Sequence, residues 1–197
     1  KDKGAIRVMG QGRMDIRRND MQYISHYRSP IGDILLAADE IGLTGLWFEG
    51  QKYFPLYPDN EYGEKEIPLF EKVKKWLDIY FSGKEPDFTL PLHFTGTDFQ
   101  NEVWSILCTI PYGQTMTYGE IAKQIAARKG LPRMSAQAVG GAVGHNKISI
   151  IVPCHRVVGA NGGLTGYAGG IEKKVKLLEL ENVDVKRFSV PQKGTAL

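Results

Sequence analysis

Closely spaced helix-start signals in the second half of this 197-residue chain constrain its fold more than any other feature. Thr97 is followed three residues later by Gln100, and Thr117 by Glu120, which is the capping-box pattern. Ser135 then precedes a third helical stretch rich in alanine and glycine. The spacing predicts three short helices. The last two are joined by a turn containing Gly and Pro, an arrangement typical of a helix-turn-helix.

Two adjacent glycines, Gly140 and Gly141, lie inside the predicted third helix, residues 136–144. Each costs about 1 kcal/mol relative to alanine in a helix interior. The sequence leaves two explanations open. Either a backbone or a nucleic acid approaches that face closely, or the helix packs tightly against another helix.

The first half of the chain has the pattern of a β-hairpin followed by a helix. Two short apolar runs, 33–38 and 43–48, are separated by a polar turn around Gly42. After a loop over 51–66, apolar residues recur at helical spacing over 70–81. This helix is expected to pack on the strands.

Helix-breaking prolines between Glu85 and Phe94 indicate a linker between two halves. We therefore predict an α+β protein, with a small N-terminal α/β domain and a mainly helical C-terminal domain. The expected divisions are a flexible leader at 1–20, an N-terminal domain at 21–92, a C-terminal domain at 93–183 and a flexible tail at 184–197.

Composition excludes several classes of protein. With 42% hydrophobic and 24% charged residues, the chain resembles ordinary globular proteins and not disordered ones. No apolar run approaches the roughly 18 residues of a membrane span, so no membrane partner is expected. The two cysteines, Cys108 and Cys154, cannot form a disulfide framework, which favours a reducing, cytoplasmic compartment. The net charge of +3 allows a nucleic-acid partner without establishing one.

Cys154 is the strongest candidate for chemistry. It follows a β-branched run at 148–152, predicted to be a strand, and precedes a glycine-rich loop at 159–170. Cys108, by contrast, has the apolar helical surroundings of a structural thiol. A free thiol has a pKa near 8.5 and needs a base or a positive field to become a nucleophile. His155 is the nearest candidate base, but neighbours on an extended segment point to opposite faces, so a turn or a bridging water is required.

The string IVPCHRVV at 151–158, followed by YAGG at 167–170, closely resembles the active-site signature of the O6-alkylguanine-DNA alkyltransferases. The similarity covers roughly 97–181 and, more weakly, 23–94. It implies a ribonuclease-H-like N-terminal domain and a winged helix-turn-helix-like C-terminal domain. It also implies DNA repair by direct damage reversal: O6-alkylguanine, and O4-alkylthymine as well, is flipped out of duplex DNA, and its alkyl group moves irreversibly to the protein's cysteine.

The resemblance also assigns roles to individual residues. Cys154 corresponds to the alkyl acceptor, and His155 to the base that removes its proton through a water. Glu181 corresponds to the carboxylate that orients this histidine, and Asn146 to the asparagine that ties the helix-turn-helix to the active-site segment. Tyr118 corresponds to the tyrosine whose hydroxyl approaches the flipped base.

The same resemblance implies a pocket and a DNA-binding face. Arg156 is expected to be a structural anchor. The expected pocket residues are Val157, Tyr167 and Ala168. The residues expected at the minor groove are Thr117, Tyr118, Ser135, Ala136, Gln137, Ala138, Gly140 and Gly141. Gln137 departs from the family pattern, which has an arginine there to fill the gap left by the flipped base.

Two other functions compete with alkyl transfer. One is a non-catalytic relative that binds alkylguanine in DNA and recruits other repair factors, although such relatives lack the cysteine. The other is a cysteine hydrolase with repeated turnover. The four histidines are scattered without ligand spacing, so no metal and no cofactor are expected. The expected partner is double-stranded DNA containing O6-alkylguanine, bound by a monomer, with cooperative binding along DNA left open.

Overall fold

The structure, a computed structural model, describes residues 22–55 and 62–190. The leader expected at 1–20 and the last part of the expected tail, 191–197, lie outside the described residues. The chain divides into two compact units, one up to Thr95 and the other from Gly96 onward. The segment Gly50–Tyr53 is an exception, because it belongs to the second unit.

The first unit contains a four-stranded sheet in the order β3-β2-β1-β4. Its strands are β1 (Gln22–Ser29), β2 (Gly32–Ala38), β3 (Leu43–Phe48) and β4 (Tyr62–Glu64). β1 and β3 are antiparallel to β2, whereas β4 is parallel to β1. The predicted hairpin is confirmed as β2 and β3, but the sequence reading missed β1 and placed β4 in a loop.

A helix, α1 (Pro68–Phe81), follows the sheet as the periodicity predicted. Its buried residues recur at helical spacing: Phe70, Val73, Leu77 and Tyr80. The hydroxyl of Tyr27 on β1 donates to Asp78 on α1 at 2.7 Å. The helix therefore packs on the strands, as expected.

The second unit contains the three predicted helices, α2 (Asp98–Leu107), α3 (Tyr118–Lys129) and α4 (Ala136–Gly144). Both capping boxes form, with the Thr97 and Thr117 hydroxyls accepting from the N–H groups of the third helical residues. The Ser135 hydroxyl likewise accepts from Ala138 N. α3 ends at Gly130 in the left-handed conformation (φ 62°), a common helix terminator.

Contacts between elements complete this unit. The indole Nε1 of Trp104 on α2 donates to the Ala142 carbonyl on α4 at 2.9 Å. Two short parallel strands, β5 (Met116–Thr117) and β6 (Val157–Val158), pair with each other. The last helix is α5 (Ile171–Leu180). The architecture is thus the predicted α+β, with a sheet-containing N-terminal half and a mainly helical C-terminal half.

The predicted strand at 148–152 is wrong. Ile151 N donates to Ser149 O at 2.8 Å and Val152 N to Ile148 O at 3.0 Å, so the run is a series of tight turns. Ile150 has a φ of 68°, in the left-handed region that a β-branched residue rarely enters. The Asn146 side chain also bonds Ile148 N and Val152 O, backbone groups that a strand would pair.

Residues 184–190, placed by the sequence in a tail, pack within the second unit instead. Val185 and Phe188 contact a core cluster that includes Val158 and Leu178. Leu164 N donates to Ser189 O at 2.8 Å. Within the described residues, no helix has the length and apolar character needed to cross a membrane.

Candidate active site and DNA-binding face

Cys154 begins a 3-10 turn, Cys154–Arg156, and its side chain is buried. The sequence predicts a turn or a bridging water between Cys154 and His155, and the two residues lie on this turn. The Asn146 Nδ2 donates to the Cys154 Sγ at 3.1 Å and to the Val152 carbonyl at 2.9 Å. One buried amide thus holds both the thiol and the backbone that leads to it.

Burial raises the pKa of the Cys154 thiol, because the interior disfavours its thiolate. The hydrogen bond from Asn146 and the positive charge of Lys174 act in the opposite direction and lower it. The resting thiol is therefore protonated at neutral pH. Nucleophilic attack by this sulfur requires a base to remove that proton.

His155 and Glu181 form a fully buried pair. The imidazole Nε2–H donates to the Glu181 Oε1 at 2.6 Å, since a carboxylate can only accept. Nδ1 is then the basic nitrogen of the neutral ring. Burial lowers the pKa of His155, although Glu181 raises it in part, and the ring is held in the neutral form that can accept a proton.

Glu181 accepts hydrogen bonds from three residues. Besides His155, the Arg156 guanidinium donates Nε to Oε2 at 2.8 Å and Nη2 to Oε1 at 3.0 Å. Gly113 N donates to Oε2 at 3.0 Å. Burial alone would raise the pKa of Glu181, but the bonds from His155 and Arg156 hold it well below its usual range. The carboxylate is therefore charged throughout the physiological range.

Arg156 is buried and also donates Nη1 to the Ile110 carbonyl at 2.6 Å. Its guanidinium lies 5.7 Å from the Tyr112 ring centroid. The side chain thus joins Glu181 to the backbone that follows α2, a position that suits the expected anchor.

The sequence reasoning missed Lys174, which is completely buried on α5. Its Nζ donates to the carbonyl oxygens of Val157 at 2.6 Å and Thr165 at 2.8 Å. Burial lowers the pKa of Lys174 to about 8, partly opposed by Cys154. A signal was available, because Lys174 lies three residues after Ile171 and four before Leu178, in phase with the apolar face.

The glycine-rich loop passes close to Tyr118. The Tyr118 hydroxyl donates to the Thr165 carbonyl at 3.0 Å, the same oxygen that accepts from Lys174. Gly166 has a φ of 63°, and a Cβ there would lie 3.2 Å from the Tyr118 hydroxyl oxygen. Glycine therefore allows both the turn and the close approach. Burial raises the pKa of Tyr118, which keeps its hydroxyl a donor.

The remaining pocket candidates are Val157, which follows the 3-10 turn, and Tyr167 and Ala168, which lie in the glycine-rich loop. Val157 is buried, with its carbonyl bonded to Lys174. Tyr167 is buried, and burial raises the pKa of its hydroxyl well above the usual value, an effect that a thiolate at Cys154 increases. Ala168 is half-buried, and its carbonyl accepts from Lys52 N at 3.0 Å.

The expected DNA-binding residues lie on or beside α4. Thr117 and Tyr118 are half-buried at the start of α3. A contiguous group is exposed: Ser135, Ala136, Gln137 and Ala138. A Cβ at Gly140 would make only ordinary contact, at 3.8 Å from the Tyr118 ring, and one at exposed Gly141 would meet nothing within 4 Å. Packing within the described residues therefore requires neither glycine.

Comparison with known proteins identifies the family. Residues 98–183 match the family model for the 6-O-methylguanine DNA methyltransferase DNA binding domain. Residues 22–94 match the model for the ribonuclease-like domain of the same family. The chain belongs to the 6-O-methylguanine DNA methyltransferase family. This membership confirms the resemblance, the fold class and the methyltransferase class inferred from the sequence.

Relatives of the family support the same assignment. The chain is 48% identical over 159 residues to a methylated-DNA–protein-cysteine methyltransferase of Mycobacterium tuberculosis, covering 79% of this chain and 92% of that relative. It is 49% identical over 160 residues to one from Methanosarcina acetivorans, covering 81% and 97%. A crystal structure of M. tuberculosis OGT in complex with DNA has a TM-score of 0.70 at 44% identity, covering 84% and 94%. DNA is therefore a partner of this family fold.

Proposed function

We propose that the protein repairs DNA by moving the alkyl group from O6 of a guanine, flipped out of the duplex, to Sγ of Cys154. A carbon–sulfur bond forms as the carbon–O6 bond breaks, and guanine leaves with the bonding electron pair. The thioether has no route back to a thiol, so each chain acts once. The observation that carries the proposal is the buried Cys154 thiol next to His155 on one 3-10 turn, with the His155 imidazole paired with the buried Glu181 carboxylate.

His155 is the base in this scheme. Burial keeps both the thiol and the imidazole uncharged at rest, so a proton must move from sulfur to Nδ1 before attack, through a bridging water. The imidazolium that forms is stabilised by Glu181, which lies 2.6 Å from Nε2. Arg156 keeps that carboxylate ionised and in place.

Asn146 and Lys174 stabilise the thiolate once it forms. Asn146 donates directly to Sγ, and the Lys174 ammonium supplies a positive charge in a buried environment. Such fixed donors need no reorganisation when charge develops on sulfur. Removal of either one is expected to slow alkyl transfer without removing the nucleophile.

The departing guanine needs a proton or hydrogen bonds at its edge. Tyr118 is a protonated donor next to the glycine-rich loop. Val157, Tyr167 and Ala168 line the pocket in this proposal. O4-alkylthymine offers a similar alkylated oxygen and is proposed as a second lesion.

The duplex is bound on the exposed face of α4. Its small residues allow the sugar-phosphate backbone of the minor groove to come close, while the helix start supplies N–H groups. The residues assigned to this contact are Thr117, Tyr118, Ser135, Ala136, Gln137, Ala138, Gly140 and Gly141. Gln137 can hydrogen-bond the unpaired base opposite the lesion but lacks the guanidinium plane of arginine.

We assign the protein a monomeric state and the compartment that holds the DNA, the cytosol of a prokaryote or the nucleus of a eukaryote. Binding without transfer is the alternative function. The buried Cys154, His155 and Glu181 favour transfer, since a binding protein has no use for a thiol, base and carboxylate in one cluster.

A methyl-transfer assay tests the proposal. The protein is incubated with a duplex containing one O6-methylguanine, and the methyl group is located by peptide mass spectrometry. We expect one methyl on Cys154, restored guanine and no second turnover. Cys108→Ser is the matched control, because burial raises the pKa of Cys108 to about 12 and this thiol is not part of the Cys154, His155 and Glu181 cluster.

Cys108→Ser should react like the wild type, whereas Cys154→Ser should remain unmethylated. Lesion binding without methyl transfer would instead support the binding-only function. Repeated turnover with a regenerated thiol would point to a hydrolase.

A further inference from the structure

The segment Gly50–Tyr53, called the 50–53 segment below, lies far from the active-site string in sequence but within the second unit. Its backbone is fixed there, because Lys52 N donates to the Ala168 carbonyl at 3.0 Å. Gln51 is buried, and its Nε2 donates to the Lys52 carbonyl at 3.4 Å. The segment is thus tied to the glycine-rich loop at one of the proposed pocket residues.

Tyr53 has an unusual conformation in this segment. Its φ is 60°, in the left-handed region that bulky side chains rarely adopt, yet the residue is 52% exposed. Strain of this kind persists only where surrounding structure holds it, and it is concentrated at functional sites. The strained backbone presents an aromatic ring to solvent, which core packing does not explain.

The exposed ring continues the face of α4. Gln137, Gly141 and His145 are exposed and follow one another at intervals of four residues, so they form one stripe along the helix and its C-cap. The Tyr53 ring stacks on the His145 ring with centroids 4.2 Å apart and an interplanar angle of 25°. The His145 Nδ1 lies 2.7 Å from the Gly141 carbonyl, which fixes the imidazole against the helix.

The 50–53 segment supplies the positive charge that α4 lacks. α4 (Ala136–Gly144) contains no charged side chain, although the proposed function places it against a polyanion. Phosphate contacts supply most of the affinity of proteins for duplex DNA. Lys52 is exposed beside this stripe, with Nζ 5.3 Å from the Tyr53 ring centroid. The 50–53 segment therefore brings a cation and a hydroxyl donor to the end of the uncharged helix.

We propose that the 50–53 segment is part of the DNA-binding surface and contacts the sugar-phosphate backbone beside the lesion. The Lys52 ammonium and the Tyr53 hydroxyl donate to phosphate oxygens, and the Tyr53 ring, supported by His145, packs on the sugar. This inference rests on the proposed function, because it takes the face of α4 to be the one that binds the duplex.

A salt titration tests the Lys52 contact. Binding to a short duplex with one central O6-methylguanine is measured by fluorescence anisotropy in the Cys154→Ser background, where binding is reversible. Lys52→Gln should weaken binding about threefold to tenfold and reduce the slope of log K against log salt by about 0.9, the value for one lost phosphate contact. Lys176→Gln is the matched control, since Lys176 is exposed on α5 and has no assigned contact.

Substitutions at Tyr53 separate binding from folding. Glycine accepts a φ of 60° without strain, so Tyr53→Gly should bind the duplex several-fold more weakly while its Tm does not fall. Tyr53→Phe keeps the stacked ring and should lose only the part of the duplex affinity that the hydroxyl contributes. A merely structural tyrosine would give the opposite result for Tyr53→Gly, a lower Tm with unchanged affinity.

The same substitutions in the Cys154 protein are then assayed with free O6-benzylguanine, which needs no duplex. Equal rates for wild type, Lys52→Gln and Tyr53→Gly are expected. Slower reaction with the free base would show that the segment acts through the glycine-rich loop, and unchanged duplex affinity in both variants would also overturn the inference. If wild-type Cys154 is not methylated by the lesion duplex, the proposed function fails first and the inference fails with it.

Discussion

The Lys174 Nζ donates a 2.6 Å hydrogen bond to the Val157 carbonyl, joining the middle of α5 to the residue that ends the active-site turn. The side chain is completely buried, so its charge acts in a medium of low dielectric constant. A buried lysine destabilises the fold unless its donors are satisfied, and here Nζ donates to two backbone carbonyls beside the proposed pocket.

Lys174→Met should slow methyl transfer from a lesion duplex by about tenfold or more, equivalent to at least about 1.4 kcal/mol of barrier. Methionine keeps the length of the side chain but removes the positive charge and both donors. Single-turnover kinetics on the duplex measure the effect. Lys176→Met, on the exposed face of α5, is the control and should react at the wild-type rate.

The pH profile of transfer should also report on Lys174. Its pKa is lowered to about 8, so its positive charge is lost as the pH rises through that value. The thiolate then loses its stabilising field, and the wild-type rate should stop rising, or fall, above about pH 8. A Lys174→Met variant whose profile has the same shape as that of the wild type would contradict this account.

Glu181→Gln should lower the free energy of unfolding by about 3–5 kcal/mol at pH 7, the usual cost of removing one partner from a buried ion pair. Because the folded pKa of Glu181 is depressed, the stability it contributes is complete above its unfolded pKa, near 4.3, and is lost as the pH falls toward the folded value. Urea unfolding at pH 7 and pH 3.5 should show a smaller difference between variant and wild type at the lower pH. Glu179→Gln, exposed on the same helix, should show no such dependence.

Gly141→Ala should act in opposite directions on stability and DNA binding. The added methyl meets nothing within 4 Å, so the helix should gain up to about 1 kcal/mol in the free energy of unfolding. The same methyl would obstruct a DNA backbone on that face and weaken duplex binding. Gly144→Ala, where a Cβ also meets nothing within 4 Å, is the control for the gain in stability.

Gln137→Arg should strengthen lesion binding or speed transfer by a few-fold. Gln137 is exposed on α4, so arginine can be accommodated, and its guanidinium can both stack and hydrogen-bond in the gap left by a flipped base. Gln137→Lys adds the charge without the planar group and should give a smaller gain. Unchanged binding and rates in both variants would show that this position does not limit the reaction.

Much of the second unit could be predicted because its signals are local. A capping box satisfies backbone N–H groups within one helical turn, so Thr97 and Thr117 mark their helices without reference to the rest of the chain. The hairpin of β2 and β3 and the apolar face of α1 are equally local patterns. The string around Cys154 indicates the chemistry through its residues alone.

The missed features depend on pairing and side-chain partners that residue spacing does not reveal. β1 has few buried residues, and only its pairing with β2 and β4 makes it a strand. The run 148–152 has strand-like composition, but the Asn146 amide takes backbone groups that a neighbouring strand would need. The β-propensity of a residue describes how well it fits a sheet, but it cannot show whether a neighbouring strand is present to pair with.

The sequence by itself determined the helices and the hairpin through short-range spacing, and the family and the proposed nucleophile through the signature string around Cys154. Only the tertiary structure decided that Lys174 is buried beside the active-site turn and that Tyr53 stacks on His145. Burial and electrostatic environment arise when distant segments pack together. The same lysine or tyrosine in an isolated peptide would be solvated and would have no particular role.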